Sequence, residues 1–273
     1  MSRVVLITGA TRGIGRSTAI YLANSQYSVV VNGTNQQLID EVVQQISANG
    51  NRAIGYCADI ADVEAVSRMI DFVMEQFGQI DILIHNAGNL RDEKCMRMTT
   101  TQWQDVINVH LHGAFYCISC VLPHLLDRGG DILLMTSTAG LLGSKGQLNY
   151  SAAKAGILGM TWTLAEELKP FNIRVNAISP AALTDMTKPV IDFISKKYAQ
   201  RNEPFPDYWK VGTPEDIAHF IGTLLTQQDA NLTGEIFGVN GTTVTKWTRP
   251  QQSISASSPE RFFAMYDEQK GSV

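Results

Sequence analysis

Short, β-branched apolar runs alternate with helical periodicity along nearly the whole chain, and that alternation constrains the fold most. Val4–Thr8 is short and unbroken, as suits a strand buried on both faces. Ile14, Thr18, Tyr21 and Leu22 then recur at helical spacing. Ser28–Val31, Ala53–Cys57, Ile82–His85, Ile132–Ser137, Arg174–Ser179 and Ile236–Val239 continue the series. Helical stretches, such as Gln36 to about Ala48, fill most of the gaps between them. Seven strands separated by helices require a parallel sheet, because each right-handed crossover needs a helix to return to the same edge. The expected fold is therefore α/β, a single doubly wound parallel sheet of about seven strands with helices on both faces.

No Pro/Ser-rich linker and no fixed-period repeat interrupts this order. One domain is expected over residues 1–241, with a charged, aromatic and irregular substrate-loop insertion at about 184–211. Residues 242–273 read as a C-terminal extension past the last strand, laid on the surface or partly mobile. The 22 basic and 26 acidic side chains leave a net charge of −4, which argues against a nucleic-acid binder. Hydrophobic content of 44% is ordinary for a globular chain, and no apolar run approaches the length of a membrane span. Four cysteines in 273 residues do not make a disulfide scaffold. The expectation is a soluble, cytoplasmic protein.

The first chemical motif is Thr8-Gly9-Ala10-Thr11-Arg12-Gly13-Ile14-Gly15, between the first strand and the first helix. Glycines there let the backbone bend tightly and approach a pyrophosphate, whose charge rests on the amides of the helix N-terminus. Three residues separate the first two glycines, a spacing that resembles the short-chain dehydrogenase/reductase family. Further motifs extend the resemblance over nearly the whole length. Asp59 matches the family aspartate that holds the adenine, and Asn86-Ala87-Gly88 matches the family's Asn-Ala-Gly turn. Ser137 precedes Tyr150 by 13 residues, and Tyr150-Ser-Ala-Ala-Lys154 matches the family's Tyr-x-x-x-Lys pair. Eight tyrosines and ten lysines would give roughly 0.3 such pairs by chance, so position rather than pattern makes the pair credible. Leu90-Arg91-Asp92, Gly146-Gln147-Leu148-Asn149-Tyr150 and Pro180-Ala181-Ala182-Leu183-Thr184 resemble the (3R)-hydroxyacyl-CoA dehydrogenase and 3-oxoacyl thioester reductase branch.

The residue types suit carbonyl chemistry. Tyr150 and Lys154 are four apart and share a helix face. A free phenol titrates near pH ~10, and a neighbouring ammonium is expected to pull that value down. Tyr150 could then donate a proton to a ketone oxygen, or take one from an alcohol, as hydride moves. Ser137 would hydrogen-bond the same oxygen. The resemblance implies that Lys154 also holds the nicotinamide ribose. It further implies a Rossmann-like sheet and a homodimer or homotetramer paired through the helices after the fourth and fifth strands.

In the helix before strand five, His110 stands where the family carries asparagine. The resemblance implies that it holds a water connecting Lys154 to bulk solvent, with activity falling as pH drops through the histidine range, near 6.5 if unperturbed. Cofactor choice turns on the end of the second strand. Gly33 supplies no acid for a ribose 2′-hydroxyl, Thr34 and Asn35 can donate hydrogen bonds, and Arg12 resembles the basic residue of NADP-preferring members. NADP(H) is favoured, with NAD(H) the alternative. The cofactor set so implied is Gly9, Thr11, Arg12, Gly13, Ile14, Gly15, Gly33, Thr34, Asn35, Asp59, Ile60, Asn86, Ala87, Gly88, Tyr150, Lys154, Pro180, Leu183 and Thr184. Cys117 and Cys120 have a metal-like spacing without a second pair, so core thiols and no metal site are expected.

The expected activity is interconversion of a secondary alcohol and a ketone, with a 3-oxoacyl thioester or similar β-keto compound as substrate. A sugar, a steroid or a pathway-specific ketone is the alternative. A nucleotide-sensing binding protein that lost the chemistry is the rival from another class.

Overall fold

The computed structural model describes residues 2–270. Its first half runs β1 (Val4–Ile7), α1 (Gly13–Asn24), β2 (Ser28–Gly33), α2 (Gln36–Ala48), β3 (Ala53–Cys57), α3 (Val63–Phe77), β4 (Ile82–His85) and α4 (Thr100–Ile107). One π-helical turn, Asn108–His112, joins α4 to α5 (Gly113–Leu125). Then follow β5 (Gly130–Met135), α6 (Thr138–Leu142), α7 (Leu148–Leu168), β6 (Ile173–Ala181), α8 (Lys188–Gln200), α9 (Pro214–Thr226), β7 (Ile236–Asn240), β8 (Thr243–Trp247) and α10 (Pro259–Lys270).

The strands form one sheet in the order β3-β2-β1-β4-β5-β6-β7-β8. β1 to β7 are parallel, and β8 pairs antiparallel with β7 through Val239 opposite Val244. The sheet thus has eight strands rather than about seven, and the eighth falls within the segment expected to lie past the last strand. Thr243–Trp247 is too polar to read as a buried strand, and as an edge strand it buries little. After it, the Arg249 guanidinium lies 6.0 Å from the Trp162 ring and 3.3 Å from Glu166 of α7.

Alternation along each strand builds two cores, one per face. Leu6, Val30, Leu83 and Leu134 face α3, α5 and α7, where they meet Met69, Cys117, Val121 and Ile157. Val5, Val31, Ile84 and Leu133 face the other way, onto Leu22, Ile39, Ile217 and Ile221 of α1, α2 and α9. Several helices start where side chains take up their first amides. Asp62 caps α3, and Thr99 with Gln102 and Thr213 with Asp216 form capping boxes on α4 and α9. The helical run Thr100–Leu125 is long and apolar enough to cross a membrane by length and composition. Val106, Ala114, Cys117, Ile118, Val121 and Leu125 in it are nevertheless buried in this fold. Cys117 and Cys120 are free thiols in α5, and burial pushes Cys117 up to about 12.

The segment expected to be irregular at 184–211 holds α8, a helix with no fully buried residue, and a short 3₁₀ turn at Asp207–Trp209. The half-buried stripe of α8 is short, Ile191, Ile194 and Tyr198, and lies among charged residues.

Candidate active site

β1 and β4 are neighbours although two strands and three helices separate them in sequence, so the chain reverses its winding between them. Such a reversal opens a crevice at the C-terminal strand ends. A cavity of about 620 Å³ lies there, with a floor from the turns after β1, β2 and β4.

The glycine-rich turn is built for close approach. Gly9 has φ +61°, and a Cβ on it would stand 2.7 Å from Ala87 Cα. Gly13 has φ +52°, lines the cavity and opens α1. Arg12, at the N-cap, gives α1 no side-chain cap, so the first amides of this helix remain available to an anion. Thr11, Arg12 and Ile14 line the cavity beside it. Gly15 does not line it, because a Cβ there would overlap Gly9 O, and its work is to seat α1 against the turn. The Asn86-Ala87-Gly88 turn is fastened to the same structure. Thr8 Oγ1 accepts from Asn86 N at 3.0 Å and Ala87 N at 3.1 Å, while Asn86 Nδ2 donates to Gly9 O at 2.9 Å.

Gly33, Thr34, Asp59 and Ile60 line the cavity on one side, and Pro180 and Thr184 on another. Two expected contacts stand outside the lining. Asn35 Oδ1 accepts from Leu38 N at 3.1 Å, so Asn35 caps α2 and does not line the cavity. Leu183 is 46% exposed and outside the lining, with its amide donating to Gly212 O at 2.8 Å. The lining also includes Asn32, whose Nδ2 donates to Ala58 O, and Asn89, Arg91 and Met186, none of them in the expected set.

Tyr150 and Lys154 face the cavity from α7. Ser137 N-caps α6, where its Oγ accepts from Ala139 N at 3.2 Å, and it also hydrogen-bonds the Tyr150 phenol. Lys154 is buried, and its Nζ donates to Met135 O at 2.6 Å. Burial lowers this ammonium from 10.5 to about 7. Tyr150 is pushed above its ordinary value by burial, pulled back in part by Ser137 and raised further by the Asp92 carboxylate. The expectation that Lys154 pulls the phenol down is therefore corrected. Its Nζ is 5.6 Å from the ring centroid, bonded to Met135 O, and within this chain desolvation outweighs any such pull. A phenol that keeps its proton at neutral pH is suited to giving it to a carbonyl oxygen that gains charge.

His110 lies in the π-turn, buried, with its ring edge-to-face against Tyr150 at 5.2 Å and 88°. Burial and the Lys154 charge hold its imidazole well below 6.5, so the expected loss of activity near that pH is displaced downward. π-Turns of this kind cluster at functional sites, and no periodicity in the sequence reveals one.

Asn149 is fully buried beside the phenol-bearing residue and was not among the expected site residues. Its Nδ2 donates to Arg91 O at 3.0 Å and Gln102 O at 2.9 Å, and its Oδ1 accepts from Tyr150 N at 2.8 Å. Gln147 Nε2 donates to Asp92 Oδ2, and Glu93 N to Gly146 O, so the loop after β4 is laced to the start of α7. The run Gly146–Tyr150 had marked this stretch without indicating which residue carries the lacing.

Residues 3–194 match the short chain dehydrogenase family. A 3-oxoacyl-[acyl-carrier-protein] reductase of Synechocystis sp. is 40% identical over 249 residues, covering 88% of this chain and 96% of that protein. The corresponding reductase of Thermotoga maritima is 32% identical over 240 residues, covering 88% and 96%. The crystal structure of a short chain dehydrogenase from Mycobacterium avium superposes with a TM-score of 0.82 at 30% identity, covering 98% of this chain and 94% of that one.

Proposed function

Because the chain belongs to the short-chain dehydrogenase/reductase family and is an oxidoreductase of its 3-oxoacyl reductase branch, we propose that it reduces a 3-oxoacyl thioester with NADPH. The observation that carries the reading is the placement of Tyr150 and Lys154 on one face of α7 at the cavity, with Ser137 bonded to the phenol.

Bound NADPH supplies the hydride that becomes the new C–H bond of the alcohol. Gly9, Gly13 and the uncapped start of α1 would hold its pyrophosphate, and Asp59 and Ile60 would flank the adenine. Thr34 and Arg12 line the cavity and would meet a 2′-phosphate, and no carboxylate at Gly33 would oppose one. Asn86–Gly88 and Lys154 would face the nicotinamide end. Ser137 Oγ and the Tyr150 phenol together hold the carbonyl oxygen. As hydride reaches the carbon, Tyr150 gives its proton to that oxygen, and Ser137 shares the developing charge. The burial that holds Tyr150 above its ordinary value then favours reprotonation of the phenolate left behind.

Met186, which is exposed, and Leu90 line the cavity, which suits an apolar acyl chain better than a sugar. The protein would work as a homodimer or homotetramer in the cytoplasm. Following NADPH oxidation against 3-oxoacyl thioesters, sugars and cyclic ketones tests the reading. Turnover highest with a 3-oxoacyl thioester is expected, and a faster rate with a sugar or cyclic ketone would overturn the substrate.

A further inference from the structure

Two groups of hydrogen bonds hold the two ends of the turn from Asn86 to Asn89. At its start, Thr8 Oγ1 accepts from the amides of Asn86 and Ala87, and the buried His85 Nδ1 stands 3.4 Å behind that hydroxyl. At its end stands His110, whose Nε2 lies 3.0 Å from Asn89 N and 2.8 Å from Asn89 O. Asn89 Nδ2 donates in turn to Asp105 O of α4 at 3.0 Å. The His110 ring fills a slot that Gly88 leaves open, since a Cβ on Gly88 would overlap His110 Cε1. The slot's other wall is the Tyr150 ring.

A neutral imidazole nitrogen either donates or accepts. Protonated, Nε2 donates to Asn89 O; bare, it accepts from Asn89 N–H. Both tautomers therefore keep hold of the same backbone residue. His110 Nδ1 is buried with no hydrogen-bond partner among the described residues, so the polar work of this side chain is done at Nε2.

We propose that His110 is a positioning residue, which clamps the Asn89 backbone through Nε2 and so sets both the Asn86–Asn89 turn and the plane of the Tyr150 ring. This rests on the reading of Tyr150 as the proton donor, and it differs from a role as a link to solvent. The side-chain length discriminates the two. A glutamine amide reaches the level of Nε2 and presents one donor and one acceptor there, as Asn89 requires. An asparagine amide ends level with Nδ1, where nothing meets it.

The test uses the full chain and its His110→Ala, His110→Asn and His110→Gln variants. It reads kcat and KM with NADPH and a 3-oxoacyl thioester, together with hydrogen exchange at the Asn89 amide. Ala and Asn variants should each lose about 10-fold or more in kcat with smaller changes in KM, and Gln should recover most of that loss. Asn89 exchange should quicken in the Ala and Asn variants and stay slow with Gln. An Asn variant as active as the Gln variant, or an Ala variant with unaltered exchange, would overturn the clamp. If no protein in the series turns the thioester over, the exchange pattern still decides the clamp, and the substrate reading alone fails.

Discussion

Replacing Lys154 by methionine should make the protein more stable at neutral pH while removing a group the proposed chemistry uses. Lys154 is buried, and burial lowers its ammonium from 10.5 to about 7. On unfolding, the group returns to its ordinary value. Between about pH 7 and 10.5 the unfolded chain therefore binds the extra proton, and stability rises with pH across that window. The burden on the folded state is about 4 kcal/mol at pH 7, about 2 kcal/mol at pH 9 and under about 0.5 kcal/mol at pH 10.5. Methionine fills similar space without that burden, but it removes the 2.6 Å bond to Met135 O. A buried carbonyl left short of a donor costs about 1–3 kcal/mol. The net result is a gain of roughly 1–3 kcal/mol at pH 7, crossing zero near pH ~9 and becoming a loss by pH ~10. Urea unfolding of both proteins at four pH values across that range measures the difference. A Lys154→Met protein less stable at neutral pH, or a difference that does not vary with pH, would refute the reasoning.

Other substitutions probe the surroundings of the site. Gly33→Asp should turn preference from NADPH toward NADH only when Thr11 is made smaller, because a Cβ at Gly33 would stand 2.6 Å from Thr11 Cγ2. Kinetics of Gly33→Asp alone and with Thr11→Ser, using both cofactors, check this; a wild type that already prefers NADH would show the end of β2 misread. Asn149→Ala should cost about 2–4 kcal/mol in thermal unfolding and slow turnover, since three hydrogen bonds around the start of α7 disappear together. Unchanged stability would mean that water replaces the lacing. Asp92→Asn removes a carboxylate that raises Tyr150, so the alkaline limb of the reduction rate, where the phenol loses its proton, should move to lower pH. A limb that stays in place would detach that limb from Tyr150.

Most of the sheet was legible because its central strands β1, β2, β4 and β5 are buried, and continuous apolar runs mark such strands. Ala53–Cys57 and Ile82–His85 have the bounds read from sequence, and the other strands read from sequence differ by one or two residues at one or both ends. β8 escaped because it buries almost no apolar face, and α8 because its stripe, Ile191, Ile194 and Tyr198, is short and set among charged residues. Motif spacing placed Ser137, Tyr150 and Lys154 near one another, since strand ends and helix starts meet at the switch point. It could not supply their electrostatics. Whether Lys154 pulls Tyr150 down depends on how deeply both are buried and on Met135 O capturing the ammonium. Asn35 shows a similar limit, because one short polar side chain suits a helix cap as well as a ribose, and only the backbone's path decides.

The account's central claim is that Tyr150 delivers the proton as hydride arrives. The most direct measurement compares wild type with Tyr150→Phe in NADPH oxidation at saturating 3-oxoacyl thioester, alongside a fluorescence titration of each protein with NADPH. The ring still packs against His110, but the transferable proton is gone. The account predicts at least about a 10²-fold loss of turnover, with cofactor affinity preserved within about twofold. A Phe variant that keeps more than about a tenth of the wild-type rate would contradict it.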